Sequence, residues 1–197
     1  MNVLPTDLPE IKLIEPRVHR DSRGFVMESW NVERYAELGL PTNMAQDNLS
    51  WSRRGVLRGL HYQKPAAQGK LVYVLSGQIW DVAVDIRVGS PRFGQWMACD
   101  LSMENRRQLY IPEGFAHGFV VLSATALVAY KCTDFYRANC QAGVAWNDPQ
   151  LDIRWPVANP ILSPQDKMQP TLAEISAERL PQLEEPATVR VMPRLAA

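Results

Sequence analysis

Residues 56–70 read VLRGLHYQKPAAQGK. The opening residues alternate as a strand does and place Arg58 and His61 beside Gly59. A short Pro/Ala/Gly loop follows, and Lys70 then heads a second apolar run. Strong bases seldom enter a β-core, because an unpaired charge loses its hydration there. Arg58, His61 and Lys70 at strand edges therefore mark a site, and the two runs that carry them predict a β-fold.

Downstream of Lys70 the pattern stays β almost to Trp146. LVYVLSGQIWDVAVDIR (71–87) reads as two strands with a hairpin signal at Ser76-Gly77. The second arm alternates, with Trp80, Val82, Val84 and Ile86 on one face and Ile79, Asp81, Ala83 and Asp85 on the other. RQLYIPEGFAHGFVVLSATALVAYKCTDFY (107–136) supplies further strands, broken at Pro112–Gly114 and near Ser123. Upstream, IKLIEPRVH (11–19) and GFVMESW (24–30) flank the turn composition RDSRG. Asn31 can cap one short helix in which Val32, Tyr35 and Leu38 share a face, with Gly39 at its stop. Many short strands and few helices predict a mainly β protein, a sandwich or closed barrel. No fixed-period repeat is present.

After Asp148 the composition changes. Residues 148–170 carry five prolines and are expected to wrap the core as an ordered loop. LAEISAERL (172–180) predicts a short helix, and residues 184–197 a loose tail. The expected organisation is one domain over 1–172 and an extension over 173–197.

A net formal charge of zero gives no global field for nucleic acid or an anionic membrane. No apolar run reaches the roughly 18 residues of a membrane span, and the N-terminus lacks a signal-peptide pattern. A cytoplasmic location is expected. Cys99, Cys132 and Cys140 form no CxxC pair and read as free thiols.

Of the three histidines, His61 and His117 fall in the β-region. PEGFAH (112–117) matches the second half of the cupin signature. Metal-binding cupins also carry an HxH pair with a downstream Glu, and this chain has His61-Tyr62-Gln63 at that place. A bound zinc or iron needs about three or four protein ligands. The reading is a cupin-type jelly roll without metal or cofactor.

DSRGFVMESW, QDNLS, GVLRGLHYQ, QGKL, WDVAVDIR, SPRFGQW, NRRQLYIPEGFAHGFVVLS, AYKCTDFY and WNDPQLDIRWP fall in the order of the dTDP-4-dehydrorhamnose 3,5-epimerase family. The chain resembles that family over residues 8–172. The resemblance implies inversion of a dTDP-4-keto-6-deoxy sugar at C3 and C5, through an enolate. It implies His61 as general base, Asp166 as its hydrogen-bond partner, Lys70 facing O4, and Tyr130 as the opposing acid. On the residues alone, a strand tyrosine is a packing residue and a lone histidine is as often structural. The family pattern turns all four toward catalysis.

For ligand binding the resemblance implies Arg23 and Arg58 on the diphosphate, where guanidinium forks suit phosphate oxygens. It adds Glu28, Gln46, Asp47 and Asn48, and places His117, with Asp81 as its hydrogen-bond partner, in the sugar pocket. Arg58 and His61 have opposite strand parity, so both reach one pocket only if Gly59 permits a bulge or the strand ends there. Leu49, Tyr73, Gln141 and Gln165 depart from the family's usual residues, the last two replacing a glutamate and a lysine in a ligand-facing patch. A homodimer with exchanged N-terminal strands is implied as well. Single-carbon epimerases and ketoisomerases of dTDP sugars, and a non-catalytic cupin that binds a nucleotide sugar, remain open alternatives.

Overall fold

Thirteen strands, two short α-helices and one 3-10 turn make up the computed structural model, which describes residues 1–183. In chain order, β1 (Asn2–Leu4), β2 (Lys12–Glu15), β3 (Val18–Asp21) and β4 (Gly24–Met27) precede α1 (Val32–Glu37). The body follows as β5 (Gln46–Arg53), β6 (Leu57–Gln63), β7 (Lys70–Ser76), β8 (Gln78–Asp85) and β9 (Trp96–Ser102). It continues with β10 (Gln108–Ile111), β11 (Phe115–Val121), β12 (Thr125–Cys132) and β13 (Gln141–Gly143). Last come α2 (Pro164–Lys167) and the 3-10 turn at Leu172–Glu174.

Two sheets pack face to face, in the orders β1-β2-β10-β7-β12-β5 and β13-β6-β11-β8-β9, while β3 and β4 form a separate ribbon. From β5 to β13 the chain changes sheet at almost every connection, as a jelly roll does. That corrects the turn expected at Ser76-Gly77. Its two strands are present, but β7 pairs with β10 and β12 whereas β8 pairs with β11 and β9. Gly77 instead turns a corner between sheets at φ +83°, where a Cβ would lie 2.1 Å from the Thr125 carbonyl oxygen.

Alternation decides what each face meets. Val72, Val74, Leu109 and Val128 of one sheet pack against Ile79, Ala83, Phe115 and Phe119 of the other. The opposite face of β8, with Val82 and Val84 and continued by Ile86, points away from that core. Leu151, Leu172, Ile175 and Leu180 of the proline-rich segment and its continuation cover it. Fully burying such a side chain contributes about 1.5–3 kcal/mol, so these contacts anchor a segment with little regular structure of its own. The helix expected over 172–180 is limited to its 3-10 turn, and the tail expected over 184–197 lies outside the described residues.

α1 is capped by Asn31, whose side chain accepts from the Arg34 amide at 3.2 Å. Buried Tyr35 docks it on Ile14, Leu71 and Tyr110, and Gly39 ends it at φ +78°. Where β5 edges one sheet and β13, with β6 beside it, edges the other, polar side chains replace the apolar core and a cavity opens.

Candidate active site

The cavity holds about 510 Å³ and is walled by both sheets. From the six-stranded sheet come Gln46, Asn48 and Ser50 of β5, Lys70 of β7, and Tyr130 and Cys132 of β12. The facing sheet contributes Arg58, His61, Tyr62 and Gln63 of β6, His117 and Phe119 of β11, and Gln141 of β13. Leu49, Trp51, Gln68 and Tyr136 complete the lining.

Arg58 and His61 reach it together because β6 is bulged. His61 pairs with His117 and Arg58 with Phe119, so three steps on β6 oppose two on β11. Gly59 takes up the difference at φ +136°, and a Cβ there would sit 2.5 Å from Gly118 Cα. Only glycine fits so close an approach of two backbones.

His61 Nε2 lies 2.5 Å from Asp166 Oδ1. Asp166 is buried on α2, whose first turn Ser163 caps by accepting from the Asp166 amide at 3.0 Å. Burial pushes the Asp166 carboxyl up, but the His61 hydrogen bond and charge, with Ser163 and Arg58, hold it below the usual range. The hydrogen-bonded carboxylate therefore stays ionised and orients the ring. Beside it, His117 Nε2 is 3.0 Å from both oxygens of the fully buried Asp81. Desolvation raises the Asp81 carboxyl pKa, against the pull of His117 and Lys70.

Lys70 and Cys132 are register neighbours on β7 and β12. Among the described residues the Lys70 ammonium makes no hydrogen bond or ion pair. Burial presses its pKa below the ordinary lysine range, against Cys132 and Asp81. The half-buried Tyr130 stands on the same sheet, so Tyr130 and His61 face each other across the cavity. Burial, then Cys132, raises the phenol pKa despite Arg58, which keeps it a neutral donor.

Not every expected side chain enters this cavity. Asp47 points to the other face of β5 and pairs with Lys131 Nζ at 2.8 Å. Arg23 is exposed at the β3–β4 turn and binds Asp21 at 2.6 Å. Glu28 pairs with Arg34 and accepts from Asn31. Gln165 lines a neighbouring cavity of about 220 Å³, whose wall also includes Gln141 and Tyr62. The two departures thus share one pocket. Tyr73 and Leu49 differ in place, since only Leu49 reaches the main cavity.

Sequence reasoning missed Ser50, Ser52 and Tyr136. The signal was the parity of β5, where Gln46, Asn48, Ser50 and Ser52 alternate with exposed residues. Tyr136 donates to Gln141 Oε1 at 2.5 Å, and its amide donates to Gln46 Oε1 at 2.8 Å. Ser50 Oγ is buried without a partner among the described residues. α2 was missed too, although Ser163-Pro164 is a helix-start pattern.

The three free cysteines are buried or half-buried, and burial raises the thiol pKa of Cys99 and Cys132. Among the described residues, no group of three or more His, Cys, Asp or Glu could hold a metal ion, and no helix is long and apolar enough to cross a membrane.

A family model described as dTDP-4-dehydrorhamnose 3,5-epimerase matches residues 5–174. The enzyme of that name from Shigella flexneri is 52% identical over 168 residues, covering 84% of this chain and 93% of the relative. Its namesake from Pseudomonas aeruginosa is 52% identical over 169 residues, covering 85% and 93%. Among solved structures, the dTDP-6-deoxy-D-glucose-3,5-epimerase of Legionella pneumophila, in complex with dTDP-4-keto-L-rhamnose, superimposes with a TM-score of 0.91. That pair shares 52% identity, over 93% of this chain and 99% of the other. The same two-sheet architecture and an almost end-to-end match lead to one assignment: the chain belongs to the dTDP-4-dehydrorhamnose 3,5-epimerase family.

Proposed function

We propose that the chain is an isomerase that inverts C3 and C5 of dTDP-4-dehydro-6-deoxy-D-glucose, giving dTDP-4-dehydro-L-rhamnose for dTDP-L-rhamnose biosynthesis. The carrying observation is a His–Asp pair and a tyrosine on opposite walls of one cavity, with a lysine beside them. Asp166 engages Nε2 of His61, which leaves the lone pair on Nδ1 to accept a proton from carbon. The electrons pass to O4, where the Lys70 ammonium balances the enolate charge. Tyr130 returns a proton to the opposite ring face, and the cycle repeats at the second carbon. Solvent restores both side chains. Residues 1–172 form the epimerase domain, 173–197 its extension, and neither metal nor cofactor enters the reaction.

Turnover in deuterium oxide tests this reading. NMR of the product should show deuterium at both C3 and C5. Label at one carbon would make it a single-carbon epimerase, label elsewhere a ketoisomerase, and none a binding protein without catalysis.

The ligand's nucleotide end belongs to a site shared between two copies. Arg23 and Glu28 sit on or beside the β3–β4 ribbon, away from their own chain's cavity. Phe25 and Val26 on that ribbon, like Leu49 and Trp51 on edge strand β5, expose apolar surface that a second copy would cover. A homodimer with exchanged N-terminal strands follows, each ribbon lending Arg23 and Glu28 to its neighbour. Mixed dimers of an Arg23→Ala chain and a His61→Ala chain test it. Sharing puts both defects in one site and none in the other, so about half the wild-type activity should return. No recovery, or a monomer at micromolar concentration, overturns sharing. The three free thiols support a cytoplasmic location, where cysteines stay reduced.

A further inference from the structure

We infer that Ser52 is a positioning residue that sets the Arg58 guanidinium for the diphosphate of the ligand. The inference rests on the proposed function, since it needs a phosphorylated ligand at Arg58. Ser52 is 4% exposed, on the inward face of β5 opposite Ala126 of β12. A hydroxyl buried so deeply needs a partner. It has one: Arg58 Nε donates to Ser52 Oγ at 3.0 Å.

Two observations separate anchoring from packing. Arg58 lines the cavity and Ser52 does not, so the hydroxyl can reach a ligand only through the arginine. Among the described residues, Arg58 forms no ion pair and its side chain no other hydrogen bond. Ser52 is then the one polar contact that selects among the many rotamers of a long, exposed side chain. Holding Nε leaves the two terminal nitrogens as a fork, the geometry that grips phosphate oxygens in pairs. With no carboxylate bonded to it among the described residues, the Arg58 guanidinium keeps its donors for the ligand. A neutral serine anchors it without spending its charge.

The test is calorimetric titration of wild type and variants with dTDP and with thymidine, alongside steady-state kinetics. Ser52→Ala should weaken dTDP binding about five- to tenfold, less than the full worth of a hydrogen bond to a charged group, because the contact acts on the ligand only through Arg58. Thymidine, with no phosphate, should bind within about twofold of wild type, and KM for the dTDP sugar should rise with kcat little changed. Ser52→Cys, of similar shape but a weak acceptor, should lose dTDP affinity likewise. In an Arg58→Ala background, Ser52→Ala should add less than about twofold, because the contact is already gone. A purely structural serine would weaken thymidine and dTDP alike, or add its full effect to that of Arg58→Ala. Either result overturns the inference, as does unchanged dTDP binding in both Ser52 variants. If wild type binds no dTDP at all, the proposed function falls and takes this inference with it.

Discussion

His61→Asn should all but abolish solvent deuterium exchange at C3 and C5, lowering kcat by about 10²–10⁴-fold, the usual range for a positioned general base. Affinity for dTDP should stay within about threefold, since in the proposed function the imidazole acts at the sugar and not at the phosphates. Asparagine is the informative replacement. It removes the basic lone pair yet leaves a polar amide near the Asp166 carboxylate, although the shorter side chain does not reach the place of Nε2. Alanine would mix loss of the base with an uncompensated buried charge, which destabilises in its own right. The competing base is His117, the other histidine in the cavity. Its Nε2 is already held between both oxygens of Asp81, a carboxylate with no exposure to solvent. Measurable exchange in His61→Asn that disappears on adding His117→Asn would transfer the role to His117. Exchange that survives both changes would remove histidine from the mechanism.

Much of this geometry is legible in the sequence, because it follows from strand parity. The alternation of β8 separates an apolar face from one bearing Asp81 and Asp85, and the structure keeps that division. The conflict between Arg58 and His61 predicted an irregularity at Gly59, and a bulge is found there. Parity also explains why Asp47 leaves the cavity while Gln46 and Asn48 line it. Other features depend on contacts distant in sequence. A strand–Gly–strand pattern reads as a hairpin, yet which sheet receives each strand is decided by packing, and Gly77 proved to be a corner. The meeting of His61 with Asp166, 105 residues apart, rests on apolar cover laid over the second sheet. Periodicity carries no trace of it, and only the family resemblance anticipated the pair. Arg23 and Glu28 mark the limit of a single chain, since neither lines this chain's own cavity.

Lys70→Met should lower kcat by about 10²–10³-fold, the effect of removing one group that stabilises an oxyanion. An ordinary imidazole is weaker than an enolate, as a base, by well over ten pKa units, a gap above roughly 14 kcal/mol at about 1.36 kcal/mol per unit. His61 therefore cannot generate the enolate unless its charge is met at O4, and Lys70 is the cation beside the cavity with no partner of its own among the described residues. Methionine keeps the length and apolar stem of lysine and removes only the charge. The pH profile supplies a second and independent reading. Burial lowers the Lys70 pKa, so its useful, protonated form is present below that lowered value and is lost as pH rises through it. Activity should thus decline on an alkaline limb that begins below the ordinary lysine range. Lys70→Arg, which stays charged throughout, should keep part of the activity and shift that limb upward or remove it. An alkaline limb that stays in place in Lys70→Arg would assign it to another group, with Tyr130 next in line. A Lys70→Met enzyme with near-normal kcat would show that O4 is stabilised elsewhere.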